Sequence, residues 1–505
     1  MTDMLLSLVL FTPLVGAVLA LAMAGDMAKY ARYVALAFTA LPLAATLYLV
    51  TAFDASSGYQ FVDQYTWIET SFLSMQYIVG LDGLSLIMVL LTNVLMFLVV
   101  LFSWEEKERP NFFFALLLGM QVGLLGVFMA MDYFLFFIFW EVALIPMYFL
   151  INIWGGPKRH YAAIKFFIYT HVASLVMMIG IFALVMESAA VTGTGQLSFA
   201  FADVSAAAAL FSQGFQVLVF GLLFFGFAVK MPIVPFHTWL PDAHVEAPTA
   251  GSVLLAGVML KMGTYGIIRI CLEVLPEGAV AWQIPMIVIA LVAIVYGALA
   301  CIAQRDLKKL VAFSSISHMG MVLLGIATLS DIGIAAAAFQ MFAHGLITAV
   351  LFMVCGIAGH NVGTRQIPLL GGLAEKMPNY AAFMMIGFMA SLGLPSLVGF
   401  VAEFNILVAF YNWGLSEGMV WTIMIALAAL LLTAGYYLWA MQRSIFGPLT
   451  DKIDTSKVHD VSVYEGVSLA ALCGLIALFG IFPALAWDFI FPYASDLAAV
   501  LEVFL

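Results

Sequence analysis

Glu141, Lys230 and Lys261 each stand in a run that is otherwise apolar, Glu403 follows a Gly/Pro break, and His318 and His344 occupy the middle of two further apolar runs. A charge at bilayer depth costs about 2.5–3.5 kcal/mol or more, so ionisable residues placed this way are functional candidates from the start. Burial disfavours the charged form of a lysine and of a carboxylic acid alike, and a group so placed exchanges a proton near neutral pH. A carboxylate moving towards or away from a lysine then toggles that lysine's proton. Groups that share one depth suit a relay along the membrane plane, reached from each face by a hydrated half-channel.

Each residue also has a plainer reading. Glu141, in Asp132-YFLFFIFWEVALIPMYFLI, would serve as a protonated packing group, although a glutamine would do that more cheaply. Lys230 ends GLLFFGFAVK just before Pro232 and Pro235, which remove backbone donors and break the helix. A snorkelling helix-end lysine is its alternative, while a charge beside unwound backbone at membrane depth is the pattern of a transporter site. Lys261 lies about a dozen apolar or small residues from either end of its helix, among Gly251, Gly257, Gly263 and Gly266, and its alternative is a structural ion pair. His318, beside Ser314, Ser315 and Ser317, and His344 read equally as relay groups or as satisfied core histidines; His171 is weaker still.

The elements that must position these groups follow from composition. The chain has 505 residues, 65% hydrophobic and 9% charged, and a mean hydropathy of +1.11. That is too little charge to hydrate a soluble surface, so the chain is a polytopic membrane protein. Backbone groups must be satisfied internally in lipid, which makes the spans helices, and the fold class is an all-α membrane protein with broken helices. Crossing about 30 Å at 1.5 Å per residue takes ~20 residues, which gives about 14 spans. They begin near Met4, Tyr33, Leu81, Phe112, Tyr133, Tyr161, Phe211, Thr249, Trp282, Leu310, Ile332, Tyr380, Val420 and Val467. Asp3 precedes the first, with no basic flank and no small-residue cleavage site, so it reads as an uncleaved helix. Alternation in Tyr59-QFVDQYTW suggests a small hairpin in the outer loop 54–80.

Alternating the loops between two sides puts Lys29, Arg32, Lys107, Arg109, Lys158, Arg159, Arg305, Lys308, Lys309, Arg365, Lys376, Arg443, Lys452 and Lys457 on one face. By the positive-inside rule that face is cytoplasmic, which predicts a multi-pass protein with both termini on the outer side. The net charge of −11 reflects acids on the outer loops and points to no nucleic-acid partner.

Phe166 and His171 are matched 173 residues later by Phe339 and His344, as Gly226, Phe227 and Lys230 are by Gly399, Phe400 and Glu403. An offset of five helices inverts the second copy, as in secondary transporters. The expected organisation is three helices with an outer loop over 1–111, a first five-helix repeat over 112–274, its inverted partner over 282–446, and a cytoplasmic loop with the last helix over 447–505.

Cys271, Cys301, Cys355 and Cys473 are scattered singly, without the spacing of a zinc or iron–sulfur site, and no dinucleotide or phosphate-binding glycine motif is present. Redox or nucleotide chemistry is therefore expected elsewhere. His237 and His244, with Asp242 and Glu246 in PFHTWLPDAHVEAP, offer metal-type donors, but their Pro-rich spacing does not gather them on one helical face, and loop capping explains them.

The stretch HTWLPDAHVEAPTAGSVLLAGVMLKMGTYGIIR from His237 to Arg269, with FWEVALIPM and DLKKLVAFSSISHMG, resembles the signature of the antiporter-like subunits of respiratory complex I and of Mrp-type antiporters. Within that family the chain is most similar to the M type, since Glu403 stands where sister subunits carry lysine and the long lateral helix of the L type does not follow the last span. The resemblance implies a proton path through a Glu141–Lys230 pair, Lys261, His318, His344 and Glu403. It implies power from quinone reduction, driven by NADH through FMN and iron–sulfur clusters in partner subunits, with none of these in this chain. It also implies L- and N-type neighbours in the membrane, in contact with lipids. A subunit of an Mrp-type cation/proton antiporter is the alternative.

Overall fold

The computed structural model describes residues 4–454, 456 and 458–505; Asp3 and Lys457 lie outside the described residues. Helices α1 (Leu5–Ala22), α2 (Ala31–Ala52), α3 (Gly83–Phe102), α4 (Pro110–Met129), α5 (Tyr133–Trp154) and α6 (Arg159–Thr192) come first. A two-stranded antiparallel hairpin, β1 (Gln60–Glu69) and β2 (Leu73–Leu81), interrupts them, and β3 (Leu197–Ser198) adds to β2 in parallel. The hairpin suggested by the alternation is thus present. Sequence punctuation sets the helix starts: Asp82 caps α3, Asp132 caps α5, and Pro110 occupies the first turn of α4, where a missing N–H costs nothing. Asp132 also accepts from Gln76 N–H at 3.1 Å, so one carboxylate fastens the sheet to the helix that carries Glu141.

After a short helix α7 (Phe201–Ala207), the seventh span is split in two. α8 (Gln213–Lys230) stops at Lys230, eight residues are non-helical, and α9 (Trp239–Glu246) completes the crossing. The eighth span, α10 (Thr249–Leu272), is entirely buried. It has two π-helical turns, Leu255–Met259 and Ile267–Leu272. α11 (Pro276–Ile302), α12 (Leu307–Ala327) and α13 (Asp331–Asn361) follow, α12 and α13 lying almost wholly inside the bundle. The twelfth span is split as well, into α14 (Pro378–Ser391) and α15 (Val398–Ser416). The break follows Lys230 but precedes Glu403, so the two residues flank their breaks from opposite sides.

α16 (Ile423–Ser444) and α17 (Val463–Ile481), opened by a Ser462/Glu465 capping box, complete the crossings. Where one last helix was expected, the chain builds two, because Pro483 stops α17 and starts α18 (Ala484–Glu502). Among the described residues fifteen helices are long and apolar enough to cross a membrane, α18 included. Its contacts show a different placement. Phe489 packs on Phe53 at the end of α2, Tyr493 donates to Glu273 just beyond α10, and Leu505 shares a cavity with Asp331 and Glu417. These are helix ends on the face that carries the hairpin. α18 lies across that face on one apolar stripe of Ala486, Ile490, Ala494, Leu497 and Leu501. Both described ends of the chain belong to the same face, since Met4 N–H donates to Asp63 of the hairpin at 2.8 Å.

Candidate proton-relay site

Lys261 follows the first π-helical turn of α10, where the Leu260 N–H reaches back five residues to Leu255. Widened turns of this kind recur at functional sites because they free backbone groups for other partners. Here the ammonium bends back and donates to the Ala256 carbonyl, and it donates to His344 Nδ1 at 2.7 Å. Both side chains are buried. The approach needs small residues. A Cβ at Gly257 would meet Leu95 at 2.6 Å, and one at Gly345, next to His344, would meet the Gly257 carbonyl at 2.9 Å.

From His344 the polar groups continue sideways through apolar packing. The His344 and His318 rings are 5.5 Å apart, and His318 Nδ1 is 3.1 Å from Glu403 Oε1, both side chains almost wholly buried. His318 Nε2 is 3.2 Å from Ser391 Oγ at the C-terminal end of α14, and Ser391 in turn is 2.6 Å from the Tyr437 hydroxyl. The break between α14 and α15 admits Glu403 to this line: Gly393, at φ +79, leaves so little room that a Cβ there would stand 2.8 Å from the Glu403 carboxylate.

At the other end the expected Glu141–Lys230 pair is not formed. Glu141 instead accepts from Ser174 Oγ and lies 2.8 Å from His171 Nδ1. His171 and Ser174 are three residues apart on α6, hence on one face. The Lys230 ammonium is buried with no hydrogen-bond partner among the described residues, 5.6 Å from the rings of Trp140 and Phe166. Nor is there a hydrogen bond or ion pair between Lys230 and Lys261 among the described residues. Sequence reasoning ranked His171 low, although its match to His344 across the 173-residue offset was the available signal. Ser174, Ser391 and Tyr437 carried none, being ordinary small and aromatic residues in apolar helices.

Two buried bases belong to neither group. Lys308, counted with the loop bases, is buried and donates to the Ala247 carbonyl at 2.6 Å. Arg269, in the second π-helical turn, is buried against Asp82 and pairs with Glu273 at 2.7 Å, with Tyr59, Tyr265 and Tyr493 around its guanidinium. The donors that suggested a metal part company: His237 lies 3.1 Å from the Tyr296 hydroxyl, Asp242 pairs with Lys165 at 2.7 Å, His244 stacks on Phe352, and Glu246 accepts from Lys158 N–H.

A family profile described as NADH:quinone oxidoreductase/Mrp antiporter, TM, matches residues 130–445, which hold every candidate residue above. The chain is 44% identical over 452 residues to F(420)H(2) dehydrogenase subunit M of Methanosarcina mazei, covering 88% of each. It is 40% identical over 501 residues to NADH-quinone oxidoreductase subunit M of Rhodobacter capsulatus, covering 98% of this chain and 96% of the relative. Among solved structures, a chain of respiratory complex I from Thermus thermophilus with bound NADH superposes with a TM-score of 0.87 at 28% identity, over 98% of this chain and 99% of that one. A chain of the Mrp complex from Dietzia sp. shares the fold, with a TM-score of 0.84 at 22% identity over 99% and 98%.

Proposed function

This chain belongs to the NADH:quinone oxidoreductase/Mrp antiporter family of membrane subunits, and we propose that it is the M-type proton-translocating subunit of an NADH:quinone oxidoreductase, moving protons through Glu141, Lys230, Lys261, His344, His318 and Glu403. The observation that carries this reading is the buried line from Lys261 through His344 and His318 to Glu403. Every member can hold or release a proton, and dry packing around the line denies the proton other acceptors. Lys261 passes a proton along the existing hydrogen bond to His344. A reorientation across the 5.5 Å between the histidine rings brings it to His318, whose Glu403 counter-charge favours its arrival. Ser391 and Tyr437 extend the hydrogen-bonded chain beyond His318.

Driving energy enters from partners. The four cysteines are free and buried one by one, which does not fit an iron–sulfur cluster; FMN, the clusters and quinone belong to other subunits in this reading. Two relatives whose names carry different electron donors, F(420)H(2) and NADH, are comparably similar to this chain, which suits a subunit that never meets the donor. Glu141 and His171 are partly exposed on the side of the isolated chain. Polar groups there at membrane depth call for cover by another protein, which supports L- and N-type neighbours in the plane of a bacterial inner membrane. The basic loops face the cytoplasm, and the hairpin and α18 the periplasm. The two matched stretches 173 residues apart support inverted repeats over 112–274 and 282–446 as the two half-channels.

Purifying the assembled complex in mild detergent and reconstituting it into vesicles tests the proposal. NADH and a short-chain quinone should drive quinone reduction with proton uptake from one side. A complex that exchanges sodium for protons and oxidises no NADH would overturn it in favour of the Mrp-type reading.

A further inference from the structure

We propose that His171 is the alternate partner of Glu141, a positioning residue that decides whether this carboxylate neutralises Lys230. The inference rests on the relay proposed above and names a control element within it. One carboxylate stands here between two groups that can be cationic. Glu141 is bonded to His171 Nδ1 at 2.8 Å and to Ser174, while the buried Lys230 ammonium has only aromatic faces beside it. The lysine remains within electrostatic reach of the same carboxylate. α6 and α8 are pressed together there, since a Cβ at Gly226 would meet Met177 at 2.6 Å and the Ala173 carbonyl at 3.0 Å. In the proposed switch a rotamer change of Glu141 exchanges one partner for the other.

Local packing prepares the histidine for the role. Its ring stacks on Phe167 at 5.4 Å, which fixes its plane with Nδ1 towards Glu141, and Ser174 also donates to the His171 carbonyl at 2.8 Å. The side chain is 39% exposed on the flank of the chain, whereas the whole Lys230 residue is 1% exposed, so a proton reaches His171 without crossing the lysine pocket. The charged groups around the site are accounted for. On α6, Lys165 is committed to Asp242 at 2.7 Å; α5 contributes Glu141 and α8 contributes Lys230. His171 also stands at the 173-residue offset from His344, the histidine bonded to Lys261.

The step balances. His171 gains one proton at Nε2 from a titratable group of the neighbouring subunit that covers this flank. Glu141, still a carboxylate, turns from Lys230 to the imidazolium. Lys230, stripped of its counter-charge in a buried pocket, gives one proton to the neutral amine that Lys261 becomes once its own proton has passed to His344, and the net charge of His171, Glu141 and Lys230 is unchanged. Loss of the proton from His171 returns Glu141 to the lysine. A histidine serves because its ring can take up or release a proton at Nε2 while Nδ1 stays on Glu141.

The test uses the assembled complex in vesicles, with proton uptake measured from about pH 6 to pH 8, the range over which an imidazole changes charge. His171→Gln keeps a donor for Glu141 but does not titrate. It should lower pumping by about tenfold or more, the order of effect a titratable proton-transfer group commands, and flatten the pH profile, with assembly and quinone reduction in uncoupled vesicles retained. Ser174→Ala weakens the histidine-side position alone, so more protonation is needed to draw Glu141 over and the profile should shift to lower pH. It decides the matter if His171→Gln does not assemble. Wild-type pumping and pH profile in His171→Gln or Ser174→Ala, while Lys261→Met abolishes pumping, would overturn the switch and leave the relay standing. Wild-type pumping in Lys261→Met as well would remove the relay.

Discussion

Glu403→Gln separates charge from shape at the end of the buried line. The carboxylate lies 3.1 Å from His318 Nδ1, and the two side chains are 6% and 5% exposed. Opposite charges at that distance attract by about 5 kcal/mol at an effective dielectric constant near 20. Glutamine fills the same volume and removes that attraction from a protonated His318. Dye-monitored proton uptake by vesicles holding the assembled complex should fall by more than about tenfold, the order of effect a positioned proton-transfer group commands. Quinone reduction should persist when the gradient is collapsed. Glu403→Asp should retain part of the activity, its carboxylate still reaching towards the imidazole. Glu403→Lys replaces the carboxylate facing His318 by a longer titratable group and should retain part of the function. Wild-type pumping by the Gln variant would refute the argument, since nothing but the charge has been removed.

Three further outcomes follow from the packing. Gly263→Ala puts a Cβ 2.6 Å from the Phe227 carbonyl and 2.9 Å from Met231 N, forcing α8 away from α10 at the level of both lysines. A cost of about 1–3 kcal/mol is expected, read as a lower thermal midpoint of the purified complex and reduced pumping. Asp82→Asn keeps a cap for α3 but leaves the buried Arg269 with Glu273 alone, whereas Asp82→Ala also loses the cap. Breaking a buried pair costs about 3–5 kcal/mol and a lost cap ~1 kcal/mol, so both variants should assemble poorly by native gel and Ala worse than Asn. Glu141→Gln should impair pumping far more than Glu141→Asp, because only a carboxylate can serve as counter-charge to Lys230 or His171; equal rates for Gln and wild type in the vesicle assay would remove the need for a charge there.

Much of this was legible because charge is scarce in the chain. With 9% charged residues, a lysine inside an apolar run stands out, and Pro232, Pro235, Gly393 and Pro395 announce where helices end. The hairpin showed in its alternation. The partners were harder to see. Glu141 had an apparent mate in Lys230, but a rotamer decides between that lysine and His171, and rotamers leave no trace in residue order. The bond from Lys261 to His344 depends on close approach at Gly257 and Gly345, a property of two helices and not of either alone. α18 escaped notice because Pro483 alone separates it from α17 within one apolar stretch; only its contacts with helix ends place it across a face. Lys308 illustrates the same limit, since two bases adjacent in sequence, Lys308 and Lys309, read as a loop pair although the first is buried.

The account stands or falls on proton transfer through Lys261, the one lysine among the described residues joined to the buried line by a hydrogen bond. The deciding measurement is the number of protons taken up per NADH oxidised by vesicles containing the complex with Lys261→Met, a side chain of similar length that holds no proton. The predicted result is a large drop in that ratio with normal assembly and a falling rate of coupled turnover. An unchanged ratio in a fully assembled complex would contradict it.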